Sequence, residues 1–314
     1  MGYWLMQKLH ESSSVNSALA RADGQRIWQT AIAFSFVILW ASGFVVPRAF
    51  VAHAEPLTFV AYRNGGAALF LIAVALVLRD AWPVRRADIA GLLWSGALLQ
   101  GFSVMGLYWA VYWGLPAGIA ALVGGLQPAL TAIVAAQIAG EALSVQQWGG
   151  IALGFAGLGI AIGPKVESAQ ISIVLALIAL AGVACMAYAS ISQKRYEQSA
   201  GPWSRTALLF VGATIPASIG AALLEHLHMD WQSLPLIAVY VWSVFALAIG
   251  ATMALLFLIR QGQAARAASL IYLVPPTSAL MAYLGFGERL GWMQVLGFVV
   301  AGCGVAVVQF KRAK

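Results

Sequence analysis

Charge is scarce in this sequence. Only 9% of its 314 residues are Asp, Glu, Lys or Arg, and 61% are hydrophobic. A water-soluble domain carries about 25% charged residues. So thin a supply cannot clothe a surface facing water, and most of the exterior must face lipid. The acids are the rarer sign: eleven in all, each at or near the end of an apolar run. No span holds a pair of carboxylates, and neither HExxH nor GxSxG occurs. The four histidines, His10, His53, His226 and His228, fall in loops or in the N-terminal stretch. These absences argue against an intramembrane enzyme, and no catalytic residue, metal or cofactor is expected. Cysteine is nearly absent too. Cys185 and Cys303 lie inside apolar runs and read as packing residues, not as a disulfide or a metal site. The net charge of +7 brings no nucleic-acid partner, because the bases are spread singly through short loops with no aromatic-interleaved patch. The first 26 residues lack a long apolar core and a cleavage-like site, so 1–27 is expected to be a cytoplasmic tail. No linker long enough to separate soluble domains is present.

Apolar runs are plentiful. A span needs about 20 apolar residues. Ten are found, at roughly 28–47, 56–78, 88–113, 116–139, 145–163, 170–192, 203–224, 236–259, 265–286 and 290–310. The weakest separations, at Gly114–Pro116 and Gly287–Arg289, carry turn residues and divide there. The fold class expected is an all-α integral membrane protein with ten transmembrane helices. With the N-terminus in the cytoplasm, fourteen of the eighteen Lys and Arg residues fall on the inner side. Only Arg48, Arg63, Lys165 and Arg289 fall on the outer side or in the span ends beside it. The positive-inside rule then places both termini in the cytoplasm.

One phrase is written twice. "QPALTAIVAAQIAGEAL" begins at Gln127 and "VPPTSALMAYLGFGERL" at Val274. Pro128 pairs with Pro275, Gly140 with Gly287, Glu141 with Glu288 and Leu143 with Leu290, always at an offset of 147. The likeness extends to Ala120-Ala121 against Ala267-Ala268, Gln147 against Gln294 and Gly150 against Gly297. Trp40-Ala-Ser loosely parallels Tyr188-Ala-Ser. Five helices, an odd number, separate the two phrases, so the halves are expected to insert in opposite directions: 28–163 as the first five-helix repeat and 170–310 as the second. Inverted halves can exchange conformations and present a midplane site first to one side and then to the other.

The residues that carry this repeat resemble the EamA-type permeases of the drug/metabolite transporter superfamily. "WASGFVVPRAF", from Trp40, is similar to the family's Trp-x-Ser-x-Phe opening, with Arg48 where Lys is usual. "AYRNGGAALFLIA" places Arg63 at the family's Arg position. "PAGIAALVGGLQPALTAIVAAQIAGEAL" and "AARAASLIYLVPPTSALMAYLGFGERL" match the most typical stretch of each half. The resemblance covers about residues 30 to 310. It implies two five-helix repeats, a cavity open to one side at a time, and movement of small metabolites across a bacterial-type inner membrane, with amino-acid exporters as one branch. It says little about substrate.

Arg63 is the exception among the charges, seven residues past Pro56 and roughly 10 Å along its helix. A charge at the bilayer centre costs about 2.5–3.5 kcal/mol, so it should face the bundle interior. Its guanidinium could anchor a substrate carboxylate bidentately; the competing reading is a structural arginine. Gln100 and Tyr108 in the third span, Gln127 in the fourth, Tyr272 and Thr277 in the ninth, and Trp40 with its parallel Tyr188 could line an aromatic-rich pocket for an amphipathic solute. Pro128, Pro275 and Pro276 are expected kinks or flex points. Glu141 and Glu288 each follow a glycine and precede a span, which suits a carboxylate at the positive N-terminus of that next helix. Gly150-xxx-Gly154, Gly159-xxx-Gly163 and Gly297-xxx-Ala301 allow close helix approach. The fifth and tenth helices are therefore expected to be packing scaffolds, and a route to a homodimer. The partners expected are a small-molecule substrate and membrane lipid.

Overall fold

The computed structural model describes residues 34–140, 142–167, 172–196, 198–251, 273–288 and 291–309. The repeat glutamate Glu141 and the site candidate Tyr272 lie outside them. In chain order the helices are α1 (Phe34–Phe50), α2 (Pro56–Val77), α3 (Arg86–Tyr112), α4 (Ala117–Gly125 and Gln127–Ala139, broken at Leu126) and α5 (Val145–Glu167). They continue as α6 (Ile173–Ser192), α7 (Pro202–Leu224), α8 (Leu234–Ala251), α9 (Val274–Phe286) and α10 (Trp292–Gln309). Among the described residues, seven helices are long and apolar enough to cross a membrane, and α1 and α10 are shorter apolar helices. Extended pairing among these residues is limited to one isolated bridge, Ala54 with Met229. The chain is an all-helical, multi-pass integral membrane protein.

Helix starts follow local chemistry. Proline occupies the first turn of α2, α7, α8, α9 and the second piece of α4, where its missing N–H leaves nothing unpaired. Thus Pro128 and Pro275 each sit two residues past the N-caps Leu126 and Leu273, in the first turn of their helices. The two copies of the repeated phrase fold alike. Gln127–Ala139 and Val274–Phe286 are helices of 13 residues each, ending at Gly140 (φ 68, ψ 20) and Gly287 (φ 68, ψ 19). Only a residue without Cβ takes this left-handed cap at no cost.

Two antiparallel helix pairs tie the chain together. In the first, α2 and α7 cap each other. The Asp80 carboxylate, just past α2, accepts from the backbone N–H groups of Trp203 and Ser204 at the start of α7, at 2.8 and 2.9 Å. Glu225, just past α7, accepts from the N–H groups of Leu57 and Thr58 at the start of α2, at 2.8 and 2.7 Å, and from the Thr58 hydroxyl. Each carboxylate meets the positive end of the other helix. In the second pair, α5 packs on α10. A Cβ at Gly150 would lie 2.7 Å from the Gly304 carbonyl oxygen, and one at Gly297 would lie 2.5 Å from that of Gly157. Gly150 and Gly297, both flagged in the sequence, thus pack inside the chain. Gly159 and Gly163 have nothing within 4 Å of an added Cβ.

The capping carboxylates give a first prediction. Asp80→Ala or Glu225→Ala is expected to lower stability by about 1–3 kcal/mol, since each strands two or more backbone donors. Thermal unfolding of the detergent-purified protein measures it. An unchanged midpoint in both variants would show that these caps do not hold the pair.

Candidate substrate-binding cavity

Among the described residues, one charged side chain is buried in the bundle, and no carboxylate pairs with it. Arg63, in the second turn of α2, is only 5% exposed. Its Nη1 donates to Asn64 Oδ1 at 2.8 Å, and its buried Nε has no hydrogen-bond partner among the described residues. Asn64 is itself pinned, its Nδ2 donating to the carbonyl oxygens of Gln100 (3.3 Å) and Ala213 (3.5 Å). Arg63 lines a cavity of about 100 Å³.

Five helices wall this cavity. α1 contributes Trp40, Gly43, Phe44 and Pro47; α3 contributes Gln100, Val104, Leu107, Tyr108 and Val111. Met186 comes from α6, and Leu247 and Ala251 from α8. Tyr108 is buried against the stacked rings of Phe50 and Phe59, whose centroids are 4.1 Å apart. Trp242 Nε1 donates to Ser42 Oγ at 3.0 Å and joins α8 to α1.

Two of the walls are not ordinary α-helix. Ala97–Phe102 in α3 and Trp242–Ala251 in α8 wind as π-helix. A π turn inserts a residue into the helical ladder and frees backbone groups, and such turns are common at functional sites. The Gln100 carbonyl that receives Asn64 lies within the first. The two π segments share a register: at the offset of 147, Gln100 corresponds to Leu247 and Val104 to Ala251, and all four line the cavity.

The residues singled out from sequence divide cleanly. Arg63, Trp40, Gln100 and Tyr108 are brought together. Gln127 is not among the lining residues; its Nε2 donates to Ser190 Oγ at 3.3 Å and holds α4 to α6. Tyr188 is 43% exposed and lies outside the cavity, so its parallel with Trp40 does not extend to position. Thr277 also lies outside it, while Pro275 and Pro276 line a separate small cavity with Leu122 and Gly125. Spacing along one helix orders residues on that helix, but its rotation is set by neighbours the spacing does not see. Pro47, Met186, Leu247 and Ala251 were not foreseen, because an apolar residue in an apolar run carries no signal.

Glu288 departs from expectation in its partner. It caps α4, not the helix that follows it: Oε2 accepts from the Ala117 N–H at 3.1 Å, and Oε1 lies 2.7 Å from Arg48 Nε. The start of α10 does not need it, because Gln294 Oε1 already accepts from the Gly291 N–H at 2.8 Å. Gln147 does the same for Ser144 before α5. Glu288 is thereby free to bind α9 to the end of α1, one residue beyond the cavity-lining Pro47. Glu288→Gln is expected to lower the yield of folded protein and cost about 1 kcal/mol, since the pair is half-shielded from solvent. Detergent-solubilised yield and unfolding midpoint report this, and wild-type values for both would remove the role.

A multi-pass helical bundle with a chamber lined by aromatic and apolar side chains and a buried arginine suits a membrane transporter. The chain belongs to the EamA-like transporter family, whose model matches twice, over residues 28–163 and 173–310. It is similar to the "Uncharacterized transporter YvbV" of Bacillus subtilis, 24% identical over 90% of this chain and 92% of that protein. It is also similar to the "Probable amino-acid metabolite efflux pump" of Salmonella typhimurium, 26% identical over 89% and 94%. The Escherichia coli protein of the same description is 25% identical over 93% and 96%. A protein of known crystal structure, 18% identical, shares the fold with a TM-score of 0.60 over 90% of this chain and 97% of that one.

Proposed function

We propose that this chain is a secondary exporter of a small amphipathic metabolite, working by alternating access in a bacterial-type inner membrane. In this reading it has ten spans in two inverted five-helix halves, with both termini cytoplasmic. The observation that carries it is that the cavity wall includes two pairs of positions related by the 147 offset, Gln100 with Leu247 and Val104 with Ala251. A site on the line relating two inverted halves is equally placed for either side of the membrane. The reciprocal contacts support the same symmetry. Exchanging the halves at the 147 offset turns the contact of Gly150 with Gly304 into that of Gly297 with Gly157, and both are present. The cavity is smaller than the 300–1,000 Å³ typical of a ligand site, so the walls must part to admit a solute, as alternation requires. The names of the efflux-pump relatives favour outward transport of amino acids or their metabolites.

Counterflow tests this reading against a passive channel. Proteoliposomes preloaded with unlabelled substrate should transiently accumulate labelled substrate against its gradient, with saturable rates. Flux that neither saturates nor shows counterflow would mean a pore. Orientation is tested by single cysteines beside Gly140 and Gly287 in a variant lacking Cys185 and Cys303. Labelling of both from one side of the membrane would end the inverted arrangement.

A further inference from the structure

We propose that the cavity selects amphipathic monoanions, carboxylates whose neighbouring amine is acylated, oxidised away or replaced by hydroxyl, over zwitterionic amino acids. The inference deepens the transporter reading and rests on it. Its warrant is a charge inventory. Among the described residues lining the cavity, Arg63 is the one charged side chain, and no carboxylate is present. The undescribed stretch 252–272 contains no Asp or Glu, and the eleven acids of the chain all fall at or near the ends of apolar runs. Glu288, beside the Pro47 end, is already matched by Arg48 and by the Ala117 N–H.

Among the described residues, Arg63 is therefore a buried cation with an unused buried donor, Nε, and no acid to neutralise it. A carboxylate completes it. Guanidinium and carboxylate match in a bidentate pair, and a low-dielectric wall of Val104, Leu107, Val111 and Leu247 strengthens their attraction. The bound pair is then electrically neutral. A zwitterion leaves one positive charge over. Its α-ammonium stands two bonds from the carboxylate carbon, on the same side of the chamber as the guanidinium, and finds no acid to receive it. The faces of Trp40 and Tyr108 offer a cation only a weaker attraction than a paired carboxylate does. A keto or hydroxyl group at that position needs only a hydrogen bond, which the Gln100 amide supplies as donor or acceptor. The apolar lining takes the aliphatic or aromatic tail.

The test uses three ligands with one carbon skeleton and three charges: 4-methyl-2-oxopentanoate (anion), leucine (zwitterion) and leucinamide (cation). Affinity is read at neutral pH by thermal stabilisation of the purified wild-type protein, and transport by proteoliposome counterflow. The oxo acid is expected to bind at least tenfold more tightly than leucine, and leucinamide not to bind. Arg63→Gln is expected to abolish the difference, whereas Arg63→Lys, which keeps the charge, retains part of it. Leucine bound as well as the oxo acid would overturn the monoanion inference; if it also showed Arg63-dependent counterflow, the transporter reading and the carboxylate anchor would stand. If none of the three bound, the anchor would fall as well.

Discussion

Arg63→Gln is expected to lower counterflow of a carboxylate substrate at least tenfold, with little change in the amount of folded protein. The loss corresponds to one or two charge-assisted hydrogen bonds, about 1.5–3 kcal/mol each. Folding should survive because, among the described residues, Arg63 makes one hydrogen bond, from Nη1 to the neighbouring Asn64. Asn64→Asp offers an independent route to the same end. Its new carboxylate would sit where Oδ1 now accepts from Arg63, neutralise the guanidinium from within the protein and compete with any substrate carboxylate. It should reduce flux of acids as severely as Arg63→Gln does, while leaving the arginine in place. A structural arginine predicts another pattern. Arg63→Gln would then lose folded protein in proportion to transport, whereas Asn64→Asp, which supplies a counter-ion, would keep its transport per folded molecule. Transport per folded molecule separates the two cases.

Much of the scaffold could be read before any coordinates. Sparse charge demanded lipid, runs of about 20 apolar residues marked helices, and the repeated Gly140 and Gly287 stood at the ends of two of them. Each of these rests on a local rule: one residue type or one short window decides it. The two π segments could not be read, because Ala97–Phe102 and Trp242–Ala251 are as apolar as an α-helix of the same composition. The shift in hydrogen bonding that defines them leaves no mark on hydropathy. The mutual caps of α2 and α7 were equally invisible. Asp80 and Trp203 are 123 positions apart, and only the packed pair shows that each acid serves the other's helix. The site divides on the same ground. Arg63, Gln100, Tyr108 and Trp40 stood out because a polar or bulky amphipathic group inside an apolar run must be turned from lipid. Gln127 also obeyed that rule, yet its need was met by Ser190 in a helix contact. A polar residue in a span announces that it has a partner, and the sequence alone does not say whether the partner is solute or protein.

Gly157→Ala and Gly96→Ala are expected to leave little folded protein, although each adds a single methyl group. At Gly157 the new Cβ meets the Ala301 backbone N and lies 2.7 Å from the Gly297 carbonyl oxygen; at Gly96 it meets the Leu209 carbonyl oxygen on α7. These neighbours are main chain and cannot rotate away. The helices must separate, and the α5–α10 or α3–α7 packing that glycine permits is lost along several turns. Overpacking of side chains costs about 1–3 kcal/mol; backbone against backbone should reach the top of that range or beyond. Gly159→Ala and Gly163→Ala are the controls, with nothing within 4 Å of the added carbon, and should stay within about 0.5 kcal/mol of wild type. Solubilised yield and unfolding midpoint compare the four. Equal behaviour of all four would mean that α5 and α10 do not approach as closely as their glycines imply. The reciprocal contacts of Gly150 with Gly304 and Gly157 with Gly297 would go with that approach, and with them the firmest structural support for two halves turning about a common site.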